Sequence, residues 1–264
     1  MRNRWTILAF LAAFFLFAQS VRGEEITIAA AADLRFALQE LALQFDRQTG
    51  HKINVTYGSS GNFFSQIQHG APFDLFFSAD IDYPRRLEAA GMAESGTLYR
   101  YATGRIVIWV PASSPVDVAR RGWDALLDPA VRKIAIANPK HAPYGRAAVA
   151  ALQKAGIYAQ VESKLVYGEN IAQAAQFVQS GNAQAGIIAL SLALSPGLKD
   201  AGKRWQVPAD AHPPLEQGAI VLKSSAKKEL ARMFLDFVKG PAGRAVLEKY
   251  GFMISDGGPP EKSR

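Results

Sequence analysis

Short apolar runs alternate along this chain with longer stretches in which apolar positions recur at helical spacing. The runs fall at residues 26–31, 53–57, 75–78, 105–110, 134–137, 165–167, 185–189 and 219–222. They are bounded by polar or turn-forming residues and are short enough to be buried strands. Between most of them lie helical patterns. In the first, Leu34, Ala37, Leu38, Leu41 and Phe45 make one apolar stripe, the signature of an amphipathic helix packed on a core. Near the C-terminus Leu230, Met233, Phe234 and Phe237 form a second stripe. Thr49-Gly50 marks the end of the first helix, and Gly240-Pro241 separates the last two. Strands joined through helices require crossover connections, so the pattern predicts an α/β fold with mainly parallel sheets. No Pro- or Ser-rich linker and no internal repeat divides the chain. Two lobes, if present, must therefore be connected more than once.

The first residues break this rhythm. Arg2 and Arg4 precede an apolar run at 6–18, followed by Val21 and Gly23 at the −3 and −1 positions of a cleavage site. This is the layout of a secretory signal peptide, residues 1–23, with Ser20 the alternative cleavage position. The apolar run is too short to span a bilayer, which takes about 20 residues. Cleavage removes three of the 30 basic residues, so the net charge falls from +7 to +4. That mild excess, without a dense Lys/Arg run, does not suggest a nucleic-acid partner. Cysteine is absent, which excludes disulfides, thiolate metal sites, a cysteine nucleophile and a lipoprotein anchor. The expected product is a soluble periplasmic protein, and the polar 255–264 segment reads as a flexible tail.

The familiar catalytic signatures are missing. His51, His69, His141 and His212 have no metal-binding spacing. Gly58-Ser59-Ser60-Gly61 is one residue short of a nucleophile elbow. No phosphate-binding loop or dinucleotide glycine motif follows a strand. Four strand-to-helix junctions remain: Ala30-Ala31-Ala32-Asp33, Tyr57-Gly58-Ser59-Ser60-Gly61, Asn138 through Gly145 with the sequence NPKHAPYG, and Gly168-Glu169-Asn170-Ile171. Ligands of open α/β sheets bind beyond the carboxyl ends of strands. Helix N-termini there offer unpaired N–H groups and a positive dipole end, which suit an anion. Each junction also has a purely structural reading: Ser59, Ser60 and Asp33 as helix caps, and Asn138-Pro139 with Pro143 as a rigid turn.

In the segments AAADLRFALQELALQF, GSSGNFFSQIQHGAPFDLFFSAD, NPKHAPYG, GENIAQAAQFVQSGNAQAGIIA and FVKGPAGRAVLEKYGF, the chain resembles the periplasmic molybdate-binding proteins of ABC importers. The resemblance covers residues 26–252. It implies a two-lobed type II periplasmic binding fold, each lobe a mainly parallel sheet flanked by helices, with the ligand in the interlobe cleft. Lobe I would hold 24–104 and 217–254, lobe II 105–216, joined by a two-stranded hinge. It further implies a non-enzymatic protein without a cofactor, monomeric, that delivers molybdate or tungstate to an inner-membrane ABC permease. The oxyanion contacts it implies are Ala32, Asp33, Ser60, Tyr144 and the backbone N–H of Ile171. Molybdenum is expected only inside the oxyanion, whose oxygens these residues would touch. Some family members use a tyrosine at the position of Ala189; here Tyr144 would supply that hydroxyl from the facing loop.

Asp33 departs from the serine or asparagine of the family pattern. A carboxylate only accepts hydrogen bonds, and its repulsion of one negative charge at 4 Å is roughly 4 kcal/mol at an effective dielectric of 20. Three outcomes are open. Asp33 turns away to cap its helix and leaves its N–H to the ligand, which is the expected case. It is held protonated by the site. Or the ligand itself carries a proton, as a phosphate-like anion or arsenate would, and Asp33 accepts it. A remote reading is a secreted serine hydrolase using Ser59 or Ser60 with His141 as base.

Overall fold

The computed structural model describes residues 23–254; the expected signal peptide, apart from Gly23, and the 255–264 tail lie outside the described residues. The strands are β1 (Glu25–Ala31), β2 (Lys52–Gly58), β3 (Leu75–Ser78), β4 (Tyr99–Gly104), β5 (Ile106–Pro111), β6 (Ile134–Ala137), β7 (Leu165–Gly168), β8 (Ala185–Ala189), β9 (Gly202–Gln206) and β10 (Leu215–Val221). The helices are α1 (Arg35–Thr49), α2 (Ser60–Gln68), α3 (Asp82–Ala89), α4 (Val118–Arg121), α5 (Pro143–Lys154), α6 (Tyr158–Val161), α7 (Ile171–Gln179), α8 (Leu190–Ala193), α9 (Lys228–Lys239) and α10 (Pro241–Lys249).

The strands form two sheets of five, ordered β2-β1-β3-β10-β4 and β7-β6-β8-β5-β9. In the first, β1 pairs in parallel with β2 and β3, while β10 runs antiparallel between β3 and β4. In the second, β6 pairs in parallel with β7 and β8, while β5 runs antiparallel between β8 and β9. Each sheet is thus mainly parallel, with one reversed strand in fourth place. The chain leaves the first sheet between Gly104 and Ile106 and returns between Gln206 and Leu215, so the second sheet is built from one continuous segment.

The first sheet is covered on both faces. One core packs α1, α9 and α10 through Leu38, Leu41, Phe45, Phe234 and Leu247. The other packs α2 and α3 through Phe63, Phe64, Ile67 and Leu87 against Phe76 and Ile220. The third core surrounds the second sheet and reaches across to Ala31, Ala32 and Ala79 at the ends of the first. The α1 stripe is buried as its spacing predicts, and Gly50 ends the helix in the left-handed conformation at φ 74°, where glycine carries no Cβ penalty. The α9 stripe is corrected: Met233 is 46% exposed, while Leu230, Ala231, Phe234, Leu235 and Val238 face inward. The buried face lies one residue round from the expected one and includes Ala231 and Leu235.

Two strands, β4 and β9, have no counterpart among the sequence-predicted runs, and β10 begins at Leu215 rather than at 219. Both missed strands are sheet edges. The sequence of β9 is GKRWQ, with exposed or half-buried positions throughout. An edge strand facing water on one side carries a weak apolar signal and charged residues that discourage further pairing.

Candidate functional site

Strand register builds the site. Ala31 pairs with Gly58 where β1 and β2 end, and Ala137 pairs with Gly168 where β6 and β7 end. Neighbouring parallel strands that stop level deliver their following turns side by side. The turn Ala32–Leu34 before α1 and the start of α2 meet the start of α5 and the start of α7 across the gap between the sheets. Ala32, Asp33, Ser60, Tyr144 and Ile171 all line one small cavity there. About 200 Å³ of space lies between these residues, part of it continuous with solvent.

Ser60 and Ile171 are the first residues of their helices and Tyr144 is the second of α5, so their N–H groups have no acceptor within the helix. Asn170 caps α7 by accepting from the N–H groups of Ala172 and Gln173, which leaves the Ile171 N–H outside the cap. The Ser60 hydroxyl oxygen accepts the Ala79 N–H at 2.9 Å. A hydroxyl has one proton and spare acceptor capacity, so this bond fixes the oxygen and leaves the proton to be donated. The residues lining the cavity include neither lysine nor arginine. The positive character comes from helix ends.

Asp33 is the exception in this neutral setting. It is 1% exposed. Its Oδ2 accepts from the Tyr144 hydroxyl at 2.8 Å and from Gln217 Nε2 at 2.8 Å. Gln217 Nε2 also donates to the Tyr144 hydroxyl at 2.9 Å, and the Tyr101 hydroxyl donates to Gln217 Oε1 at 2.8 Å. Asp33 Oδ1 is buried with no hydrogen-bond partner among the described residues. Burial pushes the carboxyl up from its ordinary 3.8 to about 6, against the lowering effect of the Gln217 and Tyr144 bonds. Burial likewise holds the Tyr144 hydroxyl well above the ordinary tyrosine range, and the nearby Asp33 charge adds to it.

The network joins two residues that the sequence places 111 positions apart. Tyr144 and Gln217 hold the Asp33 carboxyl, and the N–H groups of Asp33 and Leu34 at the helix start lower its pKa to a lesser degree. The Tyr144 hydroxyl, the expected substitute for the side chain absent at Ala189, lines the same cavity and donates to Asp33. From the turn after Ala189, Ser191 donates to the Asp33 carbonyl at 2.8 Å. Gln217, which sequence reasoning missed, is fully buried in an otherwise mostly apolar strand. That lone buried amide was the available signal; its partner lies 184 positions away.

The rival hydrolase residues are also brought together, in the wrong sense. Ser59 Oγ lies 2.9 Å from His141 Nδ1, and His141 Nε2 lies 3.7 Å from Glu169. The Ser59 hydroxyl, however, donates to the His141 carbonyl at 2.7 Å. With that proton spent, Nδ1 must be the donor to Ser59 Oγ, and a protonated Nδ1 cannot serve as the base. These contacts are a clasp across the cleft. The Gly61 N–H adds to it by donating to the His141 carbonyl at 3.0 Å. So does Asn62, which donates to Glu169 at 2.5 Å. On the far side Arg146 pairs with Asp80 at 2.5 Å. Gly61 is required by the close approach: a Cβ there would sit 2.5 Å from the His141 oxygen.

The sequence profile of the family described as bacterial extracellular solute-binding protein matches residues 26–253. The molybdate-binding protein ModA of Azotobacter vinelandii is 40% identical over 237 residues, 90% of this chain and 93% of that protein. Its namesake from Rhodobacter capsulatus is 38% identical over 229 residues, 87% of this chain and 88% of that protein. Among solved structures, the periplasmic molybdate-binding protein of Azotobacter vinelandii matches with a TM-score of 0.82 at 33% identity, covering 88% of this chain and 100% of that one. The chain belongs to the bacterial extracellular solute-binding proteins, on the two-sheet type II periplasmic binding fold that it shares with the Azotobacter protein.

Proposed function

We propose that this protein is the periplasmic molybdate-binding component of an ABC importer: it captures molybdate, or tungstate, between its two sheets and presents it to an inner-membrane permease. The observation that carries the reading is the convergence of helix N-termini and the free Ser60 proton on one buried cavity without a lysine or arginine. Relatives of high coverage named for molybdate binding support the ligand. Donors fixed in place and shielded from water bind an oxyanion without a counter-cation, because they need no reorganisation when the charge arrives.

The two sheets serve as lobes, 24–104 with 217–254 and 105–216, that close by a hinge motion about the two crossing segments. Ser60 and the N–H groups after β1 hold the anion from lobe I. The N–H groups at the starts of α5 and α7, around Tyr144 and Ile171, meet it from lobe II. The clasp at Ser59, Gly61 and His141 and the Arg146–Asp80 pair form as the lobes close. A ligand that bridges both lobes favours the closed form by its differential affinity for it, and that form is the one the permease receives. The cavity size selects among tetrahedral anions of equal charge, sulfate being smaller than molybdate.

Thermal unfolding of the chain from Glu24 onward, titrated with molybdate, tungstate, sulfate, phosphate and arsenate, tests this. Ligand at 1,000 times its dissociation constant adds about 4 kcal/mol of stability. Stabilisation by molybdate and tungstate is the expected outcome. Stabilisation by phosphate or arsenate alone replaces the ligand, and no response to any oxyanion overturns the function.

A further inference from the structure

Asp33 is a carboxyl group lining a cavity proposed to hold a dianion, and its two oxygens are treated differently by the protein. Oδ2 is an acceptor twice over, from Tyr144 and from Gln217. A proton on Oδ2 would collide with one of these donors. Oδ1 is buried, has no hydrogen-bond partner among the described residues and belongs to a residue lining the cavity. A carboxylate left so, facing a second negative charge, is repelled, and the more strongly the less water surrounds the pair. The same group carrying a proton on Oδ1 is a hydrogen-bond donor, as serine is.

We propose that Asp33 binds the oxyanion as a neutral carboxylic acid, donating from Oδ1 to a ligand oxygen, so that capture of each dianion takes up one proton from solvent. Tyr144 and Gln217 are the positioning residues: by occupying Oδ2 they leave Oδ1 as the protonated oxygen. This rests on the proposed function and goes beyond it, because it makes capture depend on proton supply and favours anions that do not already carry the shared proton.

Among the described residues, the groups in contact with Asp33 include no cation to reverse this. From α5 comes the Tyr144 hydroxyl, from β10 the Gln217 amide, from β4 the Tyr101 hydroxyl behind Gln217, and from α8 Ser191 on the Asp33 carbonyl. Both tyrosines are held well above their ordinary range, by burial first and by the Asp33 charge second, so they stay neutral. His141 faces Ser59 and Glu169 instead. The free carboxyl titrates near 6, which places the transition within reach of ordinary buffers.

The test is calorimetric titration of the protein with molybdate from pH 6 to pH 8.5, in buffers of differing ionisation enthalpy. The expected result is an affinity that falls about tenfold per pH unit above the Asp33 transition, with close to one proton taken up per molybdate at the alkaline end. Asp33→Asn keeps an acceptor for Tyr144 and Gln217 and puts a permanent N–H donor in place of the protonated oxygen. It should bind with a flat pH profile and no proton uptake. Asp33→Ser, which supplies the donor found in the resembling family, should do the same and guards against a folding defect in the first variant. Molybdate binding by the wild type without proton uptake overturns the inference alone, as does an unchanged slope in both variants. Absence of molybdate binding at every pH overturns the proposed function and the inference with it.

Discussion

The two sheets are built to one plan and supply different chemistry. Each orders its strands as a parallel trio, a reversed strand and an outer strand, and each delivers two helix N-termini to the cavity. The first adds side-chain groups, Asp33 and Ser60, and its reversed strand β10 carries the buried Gln217 amide. The second brings backbone N–H groups, and its reversed strand β5 is apolar throughout, IVIWVP. The Tyr144 hydroxyl, the polar side chain that α5 directs at the site, is spent on Asp33. Topology therefore places the cavity, and in the proposed site the polar residues of the first sheet's junctions and of β10 make its wall the one that reads the ligand by side chains. On this view the first sheet sets selectivity and pH response, and the second closes the cage.

Substitutions can break that contrast, the largest effect first. Asp33→Asn should stabilise the ligand-free protein at pH 8 by up to about 3 kcal/mol, the equivalent of a shift from 3.8 to about 6. The sign follows from linkage. The folded value lies above the ordinary one, so the group's stabilising share is fully present below pH 4 and is lost as pH rises through 6. The gain over wild type should vanish at pH 4, as denaturant midpoints at the two pH values will report. Ser60→Ala should cost molybdate affinity by about 1.5–3 kcal/mol, the worth of a hydrogen bond to a charged group, measured by titration. Gly61→Ala acts on closure from the same wall. Its methyl would approach the His141 oxygen at 2.5 Å, and overpacking of this kind costs about 1–3 kcal/mol. Ligand affinity should fall, and unfolding without ligand should change little. Arg146→Gln, from the second sheet, should matter least. Its pair with Asp80 is partly exposed, so the loss should stay under about 1 kcal/mol and fade with added salt.

Much of this molecule is legible in its sequence, for identifiable reasons. Buried strands such as β6 and β8 stand out because every position is apolar. The junctions after β1, β2, β6 and β7 stand out because small and turn-forming residues follow an apolar run. The pattern fails where burial is one-sided, as at the edges β4 and β9, or where a helix turns its face by one residue, as α9 does at Met233. It fails most at Asp33. A carboxyl group before a helix reads as a cap, and only the distant Gln217 and Tyr144, 184 and 111 positions away, reveal another use. Local propensity carries no information about such pairings.

The place of β10 in the first sheet has a consequence for how the chain acquires its structure. As it emerges from its N-terminus, β3 and β4 are made early, yet they do not pair with one another; the strand between them arrives more than a hundred residues later. The second sheet has no such wait, since its five strands lie in one unbroken run from Ile106 to Gln206. The later half of the molecule can therefore complete its sheet while the earlier half still has open edges, and those edges are the stretch most exposed to mispairing before Leu215–Val221 is available.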